Sequence, residues 1–278
     1  MSVVEKVSSP RQKTPRVPAR GKKGWFLPAY TALVIGYLFV PILVMILFGF
    51  NDIQGRFNFQ WQGFTMRHYQ NLFDFPELTR SLRNSFTVMA VSTVISTILG
   101  TLIALALTRH RFRGRSTLNT LIFLPMATPE VIMGVSLLSL FITLGLDRGL
   151  TTIIIAHIMF SISFVVVTVK ARTSGFDANL EDAAGDLGAD PWTTFWTVTF
   201  PLIFPGILAA ALLAAALSFD DYVITSFNSG ADTTFPLWVY GASRFGVPPQ
   251  VNVMGTLIFG AGLLFVVISA IRSRSATK

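Results

Sequence analysis

Residues 151–169 read TTIIIAHIMFSISFVVVTV, and this stretch decides the fold. It contains no Asp, Glu, Lys or Arg. About 20 apolar residues cross a bilayer's hydrocarbon core as a helix, which pairs every backbone polar group internally. The stretch therefore reads as a transmembrane helix. Lys170 and Arg172 follow it and place its C-terminal end in the cytoplasm. Working outward, five further stretches share this character: 25–50, about 84–108, about 118–144, about 204–219 and 253–271. The stretch at 118–144 is interrupted by Pro125, Pro129 and Glu130. The one at 204–219 reaches Ile224 if its polar end is included.

Composition agrees. The chain is 52% hydrophobic and 13% charged, whereas a soluble domain carries about 25% charged residues. The net charge of +8 raises nucleic acid as a partner. However, the basic residues sit in short runs between apolar stretches, which is membrane topology and not a nucleic-acid groove. One set fills the N-terminal tail from Lys6 to Lys23; others are Arg109 to Arg115, Lys170 with Arg172, and Arg272 to Lys278. All four sets fall on one side. The expected fold is an all-α integral membrane protein with six transmembrane helices and both termini cytoplasmic. There is no Cys, so neither a disulfide framework nor a thiolate metal site is open to it.

The chain divides accordingly. Residues 1–24 form a basic tail, expected to be disordered and held near anionic lipid, or else to meet a partner. The span at 25–50 is too long for a signal-peptide core and reads as an uncleaved anchor. Residues 51–80 form an extracytoplasmic loop. Its Trp61, Phe64, Tyr69 and Phe73 are either an interfacial belt or a surface for a docked protein. A core follows at 81–272, with a short cytoplasmic tail at 273–278. No internal repeat is evident.

Within the core, the cytoplasmic stretch 172–205 is built to fold. Asp177 is placed to cap a helix starting at Ala178, and Glu181 and Asp182 suit its positive end. Leu180, Ala183, Ala184 and Leu187 make one apolar face. Gly188 fits a helix C′ position. Asp190-Pro191 reads as a second cap with Pro at the first helical position. Trp192, Phe195, Trp196 and Val198 follow, and Pro201 and Pro205 are expected to end this helix. Such a hairpin either fits a partner's groove or packs on its own bundle.

Here a resemblance enters. Asp182-Ala183-Ala184, three residues, Gly188, nine residues and Val198-Thr199-Phe200-Pro201 resemble the EAA motif of permease subunits of binding-protein-dependent, type I ABC importers. Asp182 replaces the usual Glu, with Glu181 beside it; Val198 and Phe200 are the other departures. The resemblance implies a type I importer permease fold with a coupling helix that docks on a separate ATPase. It assigns Glu181, Asp182, Ala183, Ala184, Leu187, Gly188 and Pro201 to that contact. It implies a second homologous permease, two ATPase subunits and an extracytoplasmic binding protein as partners, all at a bacterial cell membrane. No G-x-x-x-x-G-K-[ST] loop is present, so no cofactor is expected on this chain; ATP and Mg belong to the ATPase subunits.

Ionisable residues at membrane depth default to functional hypotheses. Glu130 follows the two prolines and is either on the pathway or structurally paired. Asp220 and Asp221, with Tyr222 and Phe227 nearby, either meet a cationic cargo or sit solvated outside, with Asp221 capping a helix. Leu217 to Ile224, Trp61 to Thr65, Pro129 to Ile132 and Gly246 to Asn252 resemble permeases of spermidine/putrescine importers, with Gln250 where the family often has Glu. This implies a polyamine cargo; another small organic solute is the alternative. Glu130, Asp220, Asp221 and Tyr222 are the candidate pathway or gate. His157 reads as a hydrogen-bonded bundle residue before a metal ligand, and no metal site or catalytic residue is expected. Two other classes stay open on residues alone: a secondary transporter coupled to ions through Glu130 or Asp220, and a membrane enzyme using Asp220 and Asp221. Adjacent residues point apart on a helix, which weakens the second.

Overall fold

The computed structural model describes residues 25–53, 57–175 and 179–275. The basic tail, the expected cap Asp177 and residues 276–278 lie outside the described residues.

Helix α1, Phe26–Phe48, is apolar on all sides and buries no residue in this subunit. A helix of this kind needs lipid or another protein around it. The outer loop that follows folds around Asn51, which is 0% exposed. Its amide donates to Asn58 Oδ1 and the Gln60 carbonyl, and its oxygen accepts from the Gln62 N–H, all at 2.7 Å. Helix α2, Arg67–Gln70, closes the loop. The Arg67 guanidinium meets Asp52 at 2.7 Å.

Helix α3 runs Pro76–Arg109. It starts earlier than the apolar pattern predicts, because Pro76 at its first turn and Glu77 beside it form a good helix start. The loop therefore ends at Phe75, inside the expected range 51–80. The buried stripe of α3 is rich in small residues, Ser81, Ser85, Ser92, Ser96, Gly100 and Ala104, between Leu78 and Leu107. Small residues let helices approach closely in a membrane. At Gly100 an added Cβ would lie 2.6 Å from Val165 Cγ1. Gly100→Ala should cost about 1–3 kcal/mol by overpacking. A lowered unfolding temperature in detergent checks this, and an unchanged one refutes it.

Helices α4, Arg115–Ala127, and α5, Glu130–Thr143, meet at 108°. The expected third span is thus a bent pair. Pro125 stays within α4, and the break falls at Thr128, whose ψ is 131°. The ring of Pro129 disfavours the helical region for the residue before it. Helix α6, Leu150–Thr173, is the centre of the bundle.

The cytoplasmic hairpin holds α7, Asn179–Asp186, and α8, Pro191–Thr194. A π-helical turn, Phe195–Thr199, then leads into α9, Phe200–Asp220. This corrects one expectation. Pro201 and Pro205 do not end the second hairpin helix; a single helical run of 30 residues spans Pro191–Asp220. A proline clashes with the carbonyl four residues back, and the wider i→i+5 turn lies just where Pro201 would otherwise meet Thr197. Past α9 come α10, Val223–Asn228, α11, Phe235–Ser243, and α12, Pro249–Ser275.

The core lies among α3, α6 and α9. Ala104, Leu107, Val165, Val166, Val169, Ala210 and Ala214 pack together, and Ile122 of α4 joins them. Nearer the outer end, Leu137 and Phe141 of α5 pack on Ala156, Phe160 and Ile224. Helix α1 lies along α12, with the Phe39 and Phe259 rings 6.3 Å apart. Among the described residues five helices are long and apolar enough to cross a membrane, and the bent pair, counted as one span, makes a sixth.

Candidate functional site

The hairpin is defined by its stops and starts. Gly188 has φ +86°, which L side chains rarely adopt. The Gly188 N–H donates to the Gly185 carbonyl at 2.9 Å, and the Ala189 N–H to the Ala184 carbonyl at 3.0 Å. These two bonds make a Schellman end to α7. Asp190 then accepts from the N–H groups of Trp192 and Thr193 at 2.9 and 3.2 Å. Hydrogen bonds from Thr193 and the backbone hold its carboxyl below the usual Asp range. The cap is therefore intact at neutral pH and is lost as acidification protonates Asp190.

The apolar face of α7 is not packed on the bundle. Leu187 is 90% exposed, and Leu180 is also exposed. Trp192 and Trp196 are exposed too, with ring centroids 5.7 Å apart. Asp182 and Ala183 are exposed as well. Glu181 differs from its neighbours. Its carboxylate turns inward to Arg109 and the Thr199 hydroxyl. It is thus engaged within this chain and does not substitute for an outward Glu at position 182.

At the far end of α9 the Asp220-Asp221 pair divides. Asp221 has an extended ψ of 122° and ends the helix. Its side chain is 6% exposed. It accepts from the Thr225 N–H and hydroxyl, both at 2.8 Å, and so caps α10. It also lies 3.2 Å from His157 Nε2. His157 Nδ1 bonds Ser218 at 2.8 Å, and Ser218 meets Ser92 at 3.0 Å. This buried network ties α3, α6, α9 and α10. Asp221 is therefore not on an open pathway, and His157 is the hydrogen-bonded bundle residue that its setting predicted.

Asp220 remains exposed. It lines a cavity of about 500 Å3 with Phe219, Tyr222, Phe235, Val239 and Tyr240. The Tyr222 and Tyr240 rings lie 4.5 Å apart, and the Arg244 guanidinium sits 5.5 Å over Tyr240. The site joins one carboxylate to aromatic faces, a combination suited to a cationic amine. Glu130 does not line this cavity. It heads α5, exposed, at the 108° break. Helix ends leave backbone groups unpaired, and at membrane depth such groups must face water or protein.

Sequence reasoning missed Arg109, counted only among the topology-setting cations, and Thr199, read only as a position within the motif. A basic residue closing a span, opposite an acidic loop, was the available signal.

Residues 96–276 match the model of the family described as "Binding-protein-dependent transport system inner membrane component". The chain belongs to this family. It is the permease subunit of an ABC importer, an inner-membrane transport component whose ATPase is a separate subunit. It is 37% identical over 257 residues to the spermidine/putrescine transport system permease protein PotC of Escherichia coli (strain K12), covering 92% of this chain and 95% of that one. It is 38% identical over 239 residues to the putrescine transport system permease protein PotI of the same strain, covering 82% and 84%. Among solved structures it resembles a bacterial ABC transporter that imports the acidic polysaccharide alginate, with TM-score 0.62, 20% identity and coverage of 90% and 96%. It also resembles the MetNI methionine ABC transporter, with TM-score 0.54, 15% identity and coverage of 77% and 99%. These two likenesses bear on the type I permease fold alone.

Proposed function

We propose that this permease carries polyamines, with Asp220 as the carboxylate that receives an amine at the outer mouth. The observation that carries this reading is the single accessible carboxylate beside the Tyr222 and Tyr240 rings. The names of the PotC and PotI relatives support the cargo class. Another small organic cation fits the same cavity. The Gln250 side chain, where related permeases often have Glu, leaves one fewer acid for a polycation.

The hairpin docks on the ATPase subunits, which hold ATP and Mg. Its open apolar face, Leu180, Ala183 and Leu187, supports this reading, since a hairpin packed on its own bundle would cover it. A second, similar permease completes the pathway. A loaded binding protein docks at the outer loop, where Trp61 and Phe64 are exposed. Closure of the ATPases on ATP opens the pathway outward, and hydrolysis returns it inward.

Asp220→Asn should lower maximal putrescine uptake about tenfold or more at saturating loaded binding protein, the loss of one charge-assisted contact. Assembly should not change, because Asp220 makes no buried bond that holds the fold. Uptake into proteoliposomes holding the full complex checks this. Unchanged uptake removes Asp220 from the pathway, and neutral solutes competing as well as putrescine would overturn the cargo class.

A further inference from the structure

We propose that Arg109 is the positioning residue that seats the hairpin on α3, so that a push on α7 reaches α3 as well as α9. The inference rests on the hairpin being the ATPase-docking element.

Arg109 is the last residue of α3. Its guanidinium pairs with the Glu181 carboxylate and donates to Thr199 Oγ1 at 3.1 Å. The Thr199 hydroxyl in turn donates to Glu181. Three elements, α3, α7 and the π turn, thus close one triangle. An exposed ion pair holds little. This one is anchored on a buried group: Thr199 is 1% exposed, while the Arg109 and Glu181 side chains keep 30% and 26% of their surface open. Charge-assisted bonds strengthen when shielded from water. Leu180, Asp182, Ala183 and Asp186 of α7 are exposed, and this triangle is a grip of α7 on the bundle.

The other end of α3 holds the wall of the outer cavity. Asn84 Nδ2 donates to the Thr233 carbonyl at 3.0 Å, and Ser85 Oγ accepts from the Phe235 N–H at 2.8 Å. Arg80 meets Asp232 at 3.4 Å. That segment opens α11, whose Phe235, Val239 and Tyr240 line the cavity with Asp220. One unbroken helix, about 50 Å long at 1.5 Å per residue, is therefore fixed to the hairpin at one end and to the cavity wall at the other.

The test uses the whole complex in proteoliposomes with loaded binding protein. Three quantities are measured: ATPase subunits retained through purification, ATP hydrolysed, and cargo moved per ATP. The variants are Arg109→Glu, Glu181→Arg and the exchanged pair. Each single variant should keep its ATPase subunits and lose about fivefold or more in cargo moved per ATP. The exchanged pair should recover at least about half of that loss, which a merely structural lesion would not do. The proposal is overturned if the single variants move cargo per ATP as the parent does, if they shed the ATPase subunits, or if the exchange recovers nothing. Leu187→Asp, run alongside, tests the docking reading by itself. It should release the ATPase subunits; full retention overturns that reading and this proposal with it.

Discussion

Gly188→Val should cut ATP-driven uptake sharply while leaving the subunit folded in the membrane. The reason is backbone and not space. Gly188 sits at φ +86° with nothing near the place a Cβ would occupy. For an L residue the left-handed region costs about 1–2 kcal/mol, and a β-branched side chain is among the worst fitted to it. Helix α7 has 8 residues, too few to be stable without its end motif. A loss of 1–2 kcal/mol is roughly a 5–30-fold shift in a local equilibrium, enough to leave the hairpin mostly unformed. Uptake should fall at least about tenfold, and the ATPase subunits should be lost on purification. Gly188→Asn, whose side chain visits this region more readily, should be milder. Full uptake by Gly188→Val would remove the turn from the coupling mechanism.

The second large effect is expected at Asp221. Asp221→Ala removes the cap of α10, worth about 0.5–2 kcal/mol. It also leaves the buried Thr225 N–H without its acceptor, about 1–3 kcal/mol more, although His157 Nε2 and the Thr225 hydroxyl, 3.0 Å apart, keep each other. The two terms share one network and will not add fully, so a loss of about 2–4 kcal/mol is expected. Purified Asp221→Ala should unfold at a clearly lower temperature. Asp221→Asn, which keeps an acceptor oxygen at the cap, should lose less. If Asp221→Ala unfolds like the parent and yet fails to transport, Asp221 is a transport residue after all.

These two positions show what local sequence reveals. The hairpin was legible because its signals are short-range: Gly188 at a helix end, Asp190 before Pro191, and an apolar spacing over Leu180 to Leu187. The spans were legible because the bilayer imposes length and apolarity. What stayed hidden depends on contacts distant in sequence or on competition between neighbours. Asp220 and Asp221 are adjacent, yet the helix stops between them, and only the packed position of His157 explains where Asp221 turns. Pro125 and Pro129 carry the same local signal, but α4 absorbs the first and breaks near the second. The π turn before Pro201 has no simple composition signature. Glu181 read as an outward acid because the partner that turns it inward, Arg109, lies 72 residues away.

The unbroken run Pro191–Asp220 has a thermodynamic consequence. It places the hairpin's aromatic helix and the cavity's carboxylate on one continuous helical run, about 45 Å long at 1.5 Å per residue. Whatever binds either end more tightly in one tilt of that run than in the other shifts the balance between tilts. Linkage then requires the reverse effect with the same factor. An ATP-closed partner that favours loading at the outer mouth must itself be favoured by a loaded mouth. Cargo delivery and ATPase closure are then two readings of a single free energy, and a change in affinity measured at one membrane face reports its size at the other.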